Sequence, residues 1–184
     1  MAAIASLCVF CGSQTGQNPA HAEAARSLGT ALARRGIMLV YGAGGIGLMG
    51  VVADAVLAGG GRVVGVIPKK LESLEVAHRD LTETVVTEDM FRRKRIMLDR
   101  ADGFVILPGG YGTLDEFFEV LTWKQLGLLD KPIVVLDIEG FWEPLRDLLD
   151  HVSDEGFAPS ATSGLATVVR TVDELFRVLD NVEA

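Results

Sequence analysis

The sequence predicts an α/β fold, a Rossmann-like parallel sheet with helices on both faces, built as a single domain over residues 1–184. Three observations lead there. Short β-rich runs alternate with helical stretches along the chain, with no linker, internal repeat or low-complexity tract between them. The strand runs are almost continuously apolar, as strands are when both faces are covered. The length of 184 residues, 49% of them apolar, suits one well-filled core and is short for two.

The first strand is expected over residues 4–10 and is followed by the small polar turn Cys11-Gly12-Ser13. Cys8 and Cys11 form a C-x-x-C. In a strand, a separation of three sends side chains to opposite faces, which argues against a redox pair. With no third cysteine, and with His21, His78 and His151 scattered, a zinc site has no second half. Two buried small thiols are the expectation. A helix over residues 20–35 leads to a strand at 37–41, the glycine loop Gly42-Ala43-Gly44-Gly45-Ile46-Gly47 and a helix at 48–57. Further strands are expected at 62–67, 104–107 and 133–137, with a weaker strand or extended piece at 81–86, and residues 166–169 followed by 173–179 are expected to close the sheet. Right-handed connections between parallel strands are expected throughout.

Charge narrows the function classes. A formal net charge of −8 argues against a broad nucleic-acid or anionic-membrane surface, both of which need clustered positive charge. No apolar run is long enough to span a membrane, and the N-terminal MAAIASLCVFCGS lacks the basic start of a signal peptide. A cytoplasmic protein with a small ligand is expected.

In an open parallel sheet, ligands gather beyond the carboxyl ends of the strands. Three loops there are rich in glycine: Cys11-Gly12-Ser13, Gly42 to Gly47, and the start of LPGGYGTLDEFFE at residues 107–119. Backbone N–H groups can approach an anion closely at such loops, and a following helix adds unpaired donors and its positive dipole end. Phosphate is the ligand this chemistry suits. Gly42, Gly44 and Gly47 match G-x-G-x-x-G between a strand and a helix. The next strand, however, ends in Ile67-Pro68-Lys69-Lys70 and offers no acid for ribose hydroxyls. An NADP-dependent enzyme, its extra phosphate met by those lysines, is therefore an alternative, and simple helix-to-sheet packing is the plain reading of the loop.

Thr113-Leu114-Asp115-Glu116 also has a plain reading, as a T-x-x-E capping box. Along the helix that follows, Leu114, Phe117, Phe118 and Leu121 form one apolar stripe, whereas Glu116 aligns with Glu119, Val120 and Trp123 away from it. A place in the first turn would favour the ionised carboxylate. Upstream lies Glu88-Asp89-Met90-Phe91-Arg92-Arg93-Lys94-Arg95-Ile96-Met97. Four consecutive basic residues sweep most of a helix's circumference, so at least one points inward. Counting by three and four places Arg93 between Met90 and both Ile96 and Met97, while Arg92 and Arg95 face out with Asp99. An inward arginine needs an anion or several acceptors. Lys94 is a second inward candidate.

Met90-Phe91-Arg92-Arg93-Lys94, Pro108-Gly109-Gly110-Tyr111-Gly112-Thr113-Leu114-Asp115-Glu116, and Tyr41-Gly42-Ala43-Gly44-Gly45-Ile46-Gly47-Leu48-Met49-Gly50 together resemble the LONELY GUY (LOG) family of cytokinin-activating phosphoribohydrolases. The resemblance spans almost the whole chain. It implies a Rossmann-like fold, a dimer, and hydrolysis of the N-glycosidic bond of a purine riboside 5'-monophosphate, either an N6-prenylated AMP or AMP itself. It also implies catalytic places for Arg93 and Glu116 and phosphate-binding places for Gly109, Gly110, Gly112 and Thr113. Gly12, Ser13, Gly44, Gly45, Met90 and Lys94 complete the expected substrate-binding set. Phe91 stands where many members carry histidine, and Ala43 where glycine is frequent. The family is often labelled lysine decarboxylase, yet nothing here marks a lysine for a pyridoxal phosphate Schiff base. No metal or cofactor is expected. The second reading is a non-catalytic nucleotide sensor or carrier of the same fold. A homodimer is expected to cover the stripe of Glu116, Glu119, Val120 and Trp123.

Overall fold

The computed structural model describes residues 4–72, 77–159 and 164–182. Seven strands, β1 (Ser6–Phe10), β2 (Met38–Tyr41), β3 (Val63–Pro68), β4 (Glu83–Thr87), β5 (Gly103–Ile106), β6 (Ile133–Leu136) and β7 (Thr167–Val169), form one sheet in the order β4-β3-β2-β1-β5-β6-β7. All neighbouring strands are parallel, with Leu7 beside Leu39 on one side and Gly103 on the other. The chain runs outward from β1 to β4, returns to lie against β1 as β5, and then runs outward to β7. The order therefore reverses between β1 and β5, which opens a crevice beyond their carboxyl ends.

Between the strands lie α1 (Pro19–Arg35), α2 (Gly47–Ala58), α3 (Met90–Arg100), α4 (Tyr111–Gln125) and α5 (Glu143–Asp154), and α6 (Val172–Val182) follows β7. Local chemistry starts and stops them. The Asn18 side chain accepts a hydrogen bond from Ala20 N at 3.0 Å, Pro19 opens α1, and Gly36 ends it in the left-handed region at φ 68°. Asp89 Oδ1 accepts from Arg92 N at 2.7 Å and caps α3. α5, which starts at Glu143-Pro144, is an element that sequence analysis did not assign, and no residue of it is fully buried.

The period of two in each strand divides the core into two layers. Leu7, Val9, Leu39, Tyr41, Val105, Val134 and Leu136 meet α1, α2 and α6, whereas Cys8, Phe10, Val40, Phe104, Ile106 and Val135 meet α3 and α4. Cys8 and Cys11 fall into opposite layers, and both are free, buried thiols.

Two expectations about α4 are corrected. Its buried positions are Thr113, Phe117, Val120 and Leu121, with Val120 fully covered and Phe118 37% exposed. The helix turns Val120 onto the layer of Phe104, Ile106 and Ile133, and a residue one step from Phe117 is rotated by about 100° away from it. The stripe expected to face away from the core is thus partly in it. No helix among the described residues is long and apolar enough to cross a membrane.

Candidate active site

A cavity of about 270 Å³ lies at the crevice between β1 and β5. Its lining includes Cys11, Gly12 and Ser13 after β1, Gly42 after β2, and Gly110, Tyr111, Gly112, Thr113 and Glu116 from the start of α4. Arg93 reaches it from α3, and Met49 from α2. The β1 and β5 loops are stitched together by Gly12 N donating to Pro108 O at 3.0 Å.

Arg93 is 5% exposed, as its place among apolar neighbours on α3 requires. Its Nε donates to Val66 O at 3.0 Å, and its Nη2 donates to Gly42 O at 2.9 Å. Val66 O lies within β3 and Gly42 O just past the end of β2, so the guanidinium is pinned to the sheet at the edge of the cavity. Met90 lies outside the cavity lining and supports Arg93, whose Nη1 approaches Met90 Sδ at 3.7 Å. Gly42 is lean for a related reason: a Cβ there would collide with the Arg93 guanidinium.

The α4 helix begins at Tyr111 on Gly110, and no side chain caps it. Thr113 is therefore its third residue and Glu116 its sixth, which corrects both the capping box and the first-turn position expected for Glu116. Glycines at 109 and 110 let the chain turn into the helix earlier than the polar pattern suggested. The outcome is a bare helix N-terminus, with its unpaired donors and positive dipole end, facing the cavity one turn from a carboxylate.

The other glycine loop is built differently. At the start of α2, Leu48 N and Met49 N donate to Gly12 O at 3.0 and 3.3 Å, so these helix donors are spent on the β1 loop. Gly47, at φ 64°, packs against the backbone of Ser13. Gly44 bridges to Ala77, and neither Gly44 nor Gly45 lines the cavity. The G-x-G-x-x-G match follows β2 rather than a strand at the switch point, and its helix terminus serves packing. Ala43 takes the left-handed region at φ 64°, a conformation costing a non-glycine residue roughly 1–2 kcal/mol.

Seven of the expected residues meet at the cavity: Gly12, Ser13, Arg93, Gly110, Gly112, Thr113 and Glu116. Gly109 sits just behind, close against Gly12 N and Thr113. Lys94 lies outside the lining, with Nζ 3.1 Å from both Asp115 Oδ2 and Glu119 Oε2. Phe91 is also outside the lining and 82% exposed. Val9, Cys11, Gly42, Met49 and Tyr111 also line the cavity without having been singled out as site residues, although Gly42, Met49 and Tyr111 fall within the quoted motifs. Burial raises the Cys11 thiol far above its ordinary pKa, with Glu116 adding to the shift. Burial, with Glu116 adding and Arg93 opposing, raises Cys8 as well. Neutral thiols at neutral pH make poor nucleophiles.

Residues 49–179 match the family described as possible lysine decarboxylase. A cytokinin riboside 5'-monophosphate phosphoribohydrolase of Arabidopsis thaliana is 44% identical over 177 residues, 96% of this chain and 82% of its own. One from Rhodococcoides fascians is 44% identical over 169 residues, 91% of this chain and 85% of its own. A probable one from Oryza sativa subsp. japonica is 43% identical over 174 residues, 95% of this chain and 78% of its own. Among solved structures, a molybdenum cofactor binding protein of Rippkaea orientalis superposes with a TM-score of 0.76 at 18% identity, covering 100% of this chain and 99% of that one. The molybdenum cofactor carrier protein of Chlamydomonas reinhardtii gives 0.74 at 20%, covering 97% of each. At those identities the likeness is one of fold.

Proposed function

The chain belongs to the LONELY GUY (LOG) family, and on that premise we propose that it hydrolyses the N-glycosidic bond of a purine riboside 5'-monophosphate, releasing free base and ribose 5-phosphate. The observation that carries the reading is the convergence, in one cavity, of a bare helix N-terminus, a pinned arginine and a carboxylate. Each answers one need of the reaction.

The 5'-phosphate is an anion, and the start of α4 with Gly110, Gly112 and Thr113 offers donors and a positive dipole end. Anchoring it there orients the sugar and contributes remote binding energy. As the glycosidic bond breaks, positive charge grows on the ribose and negative charge on the purine. Glu116, one turn along α4, is the anion that faces the developing ribose cation, through its hydroxyls or through a directed water. Arg93 orients the substrate and offsets charge on the leaving base. These side chains supply the charges that the bond cleavage calls for, so no step is assigned to a metal or cofactor. The substrate is an N6-prenylated AMP or AMP itself, and the enzyme works as a cytoplasmic homodimer. Exposed Met90, Phe91, Tyr111 and Phe118, on the two helices that also carry Arg93 and Glu116, support the dimer.

Product analysis across a panel of nucleotides tests the reading. Chromatography should give free base and ribose 5-phosphate, with chelators having little effect and the monophosphate outperforming its nucleoside. Nucleoside plus inorganic phosphate would contradict it. Binding without any product would favour the sensor or carrier instead.

A further inference from the structure

Arg93 and Glu116 stand on different helices, α3 and α4, which pack against the same layer of the sheet. Arg93 is fixed to the sheet through Val66 O and Gly42 O. The residue after it, Lys94, turns the other way. Its side chain is 12% exposed and its ammonium lies 3.1 Å from Asp115 Oδ2 and 3.1 Å from Glu119 Oε2. Those two carboxylates flank Glu116 on α4, one residue before it and three after. Burial works to lower the Lys94 pKa, but the hydrogen bond to Asp115, the close ion pair with Glu119 and the charges of both carboxylates together outweigh it and leave the ammonium above its ordinary value. A charge this well covered is kept by its partners, and with both oxygens on one helix the link has little rotational freedom.

We propose that Lys94 is a positioning residue that clamps α4 to α3, so that Arg93 and Glu116 address the same bound nucleotide at once. The inference rests on the proposed phosphoribohydrolase reading of the cavity. It differs from direct substrate binding, because Lys94 lies outside the cavity lining and its ammonium faces the α4 carboxylates. A phosphate anchored at the start of α4 moves with that helix. Slack between the helices therefore leaves anchoring intact and spoils the alignment of Glu116 and the sugar with Arg93.

The test compares Lys94→Met, Lys94→Arg and the double variant Asp115→Asn/Glu119→Gln on the intact protein, with kcat and KM measured for the monophosphate that the wild type cleaves. Lys94→Met should lower kcat by roughly tenfold to a hundredfold while KM stays within about threefold. Lys94→Arg should restore much of the rate. The carboxylate double variant should match Lys94→Met, and adding Lys94→Met to it should cost little more, because both remove one link. A raised KM with unchanged kcat, or losses that multiply, would place Lys94 on the substrate and overturn the inference. If Lys94→Met does not fold, the carboxylate double variant and Lys94→Arg carry the same comparison. A wild type that turns over while every variant keeps its rate overturns this inference alone. A wild type that releases no base from any nucleotide overturns the proposed function, and this inference with it.

Discussion

Replacing Glu116 with glutamine separates a structural carboxylate from a catalytic one, and the geometry of α4 sets the expected sizes. A capping glutamate sits three residues past its cap, and losing it costs about 1 kcal/mol. Here the cap is Gly110 and Glu116 is the sixth helical residue, so the substitution removes no cap. Glutamine keeps the length and most of the hydrogen-bonding capacity. The expected change in unfolding free energy is thus that of one altered side-chain interaction, about 1 kcal/mol. Catalysis should respond on another scale. Removing a charge placed against a developing cation slows turnover roughly a hundredfold or more, about 2.7 kcal/mol of barrier. Thermal melts and release of base from the monophosphate, measured on one preparation, give both numbers, and calorimetry should show the nucleotide still bound. A variant with wild-type turnover would refute the catalytic role. One that is markedly unstable would refute the account of the helix start.

Gly42→Ala should displace the Arg93 guanidinium, so it should slow turnover by on the order of tenfold or more while leaving a folded protein; normal activity would show that Gly42 does not set the arginine. The two buried thiols predict alkaline instability. Their folded pKa values lie above the unfolded one, so their contribution is complete below about pH 8.5 and is lost as pH rises from there toward the folded values, with a slope of about 1.4 kcal/mol per pH unit for each thiol. Urea titrations from pH 8 to 10 on wild type and a Cys8→Ala/Cys11→Ala variant check this, the variant showing a shallower decline. Phe91→Ser, at an exposed site on α3, should weaken dimerisation and activity together, whereas Arg92→Ala should change both much less. Sedimentation and activity across concentration decide it, and a wild type fully active as a monomer would remove the dimer from the reading.

The strand order could not be read from local pattern, but the strands themselves could. Near-continuous apolar runs specify burial on both faces whatever the neighbours are, and this placed the five inner strands within a few residues, while the alternation of side chains along a strand put Cys8 and Cys11 on opposite faces. The inward turn of Arg93 was legible for the same reason: four basic residues cannot share one helix face. Glu116 was legible as a residue and misplaced in its helix, because T-x-x-E looks like a cap in any chain. Only the path of Gly109 and Gly110 beside Gly12 sets where α4 begins. The glycine loops show the difference most clearly. By sequence, Gly42 to Gly47 and Gly109 to Gly112 are equal phosphate cradles. In the fold, Gly12 O occupies the first donors of α2, and Arg93 occupies the space over Gly42, while the start of α4 stays open. Composition and periodicity determined the fold class and singled out Arg93 and Glu116. Which helix terminus faces the cavity, and which lysine ties two helices, depended on contacts between segments tens of residues apart, and those are fixed only when the sheet order brings β1 and β5 side by side.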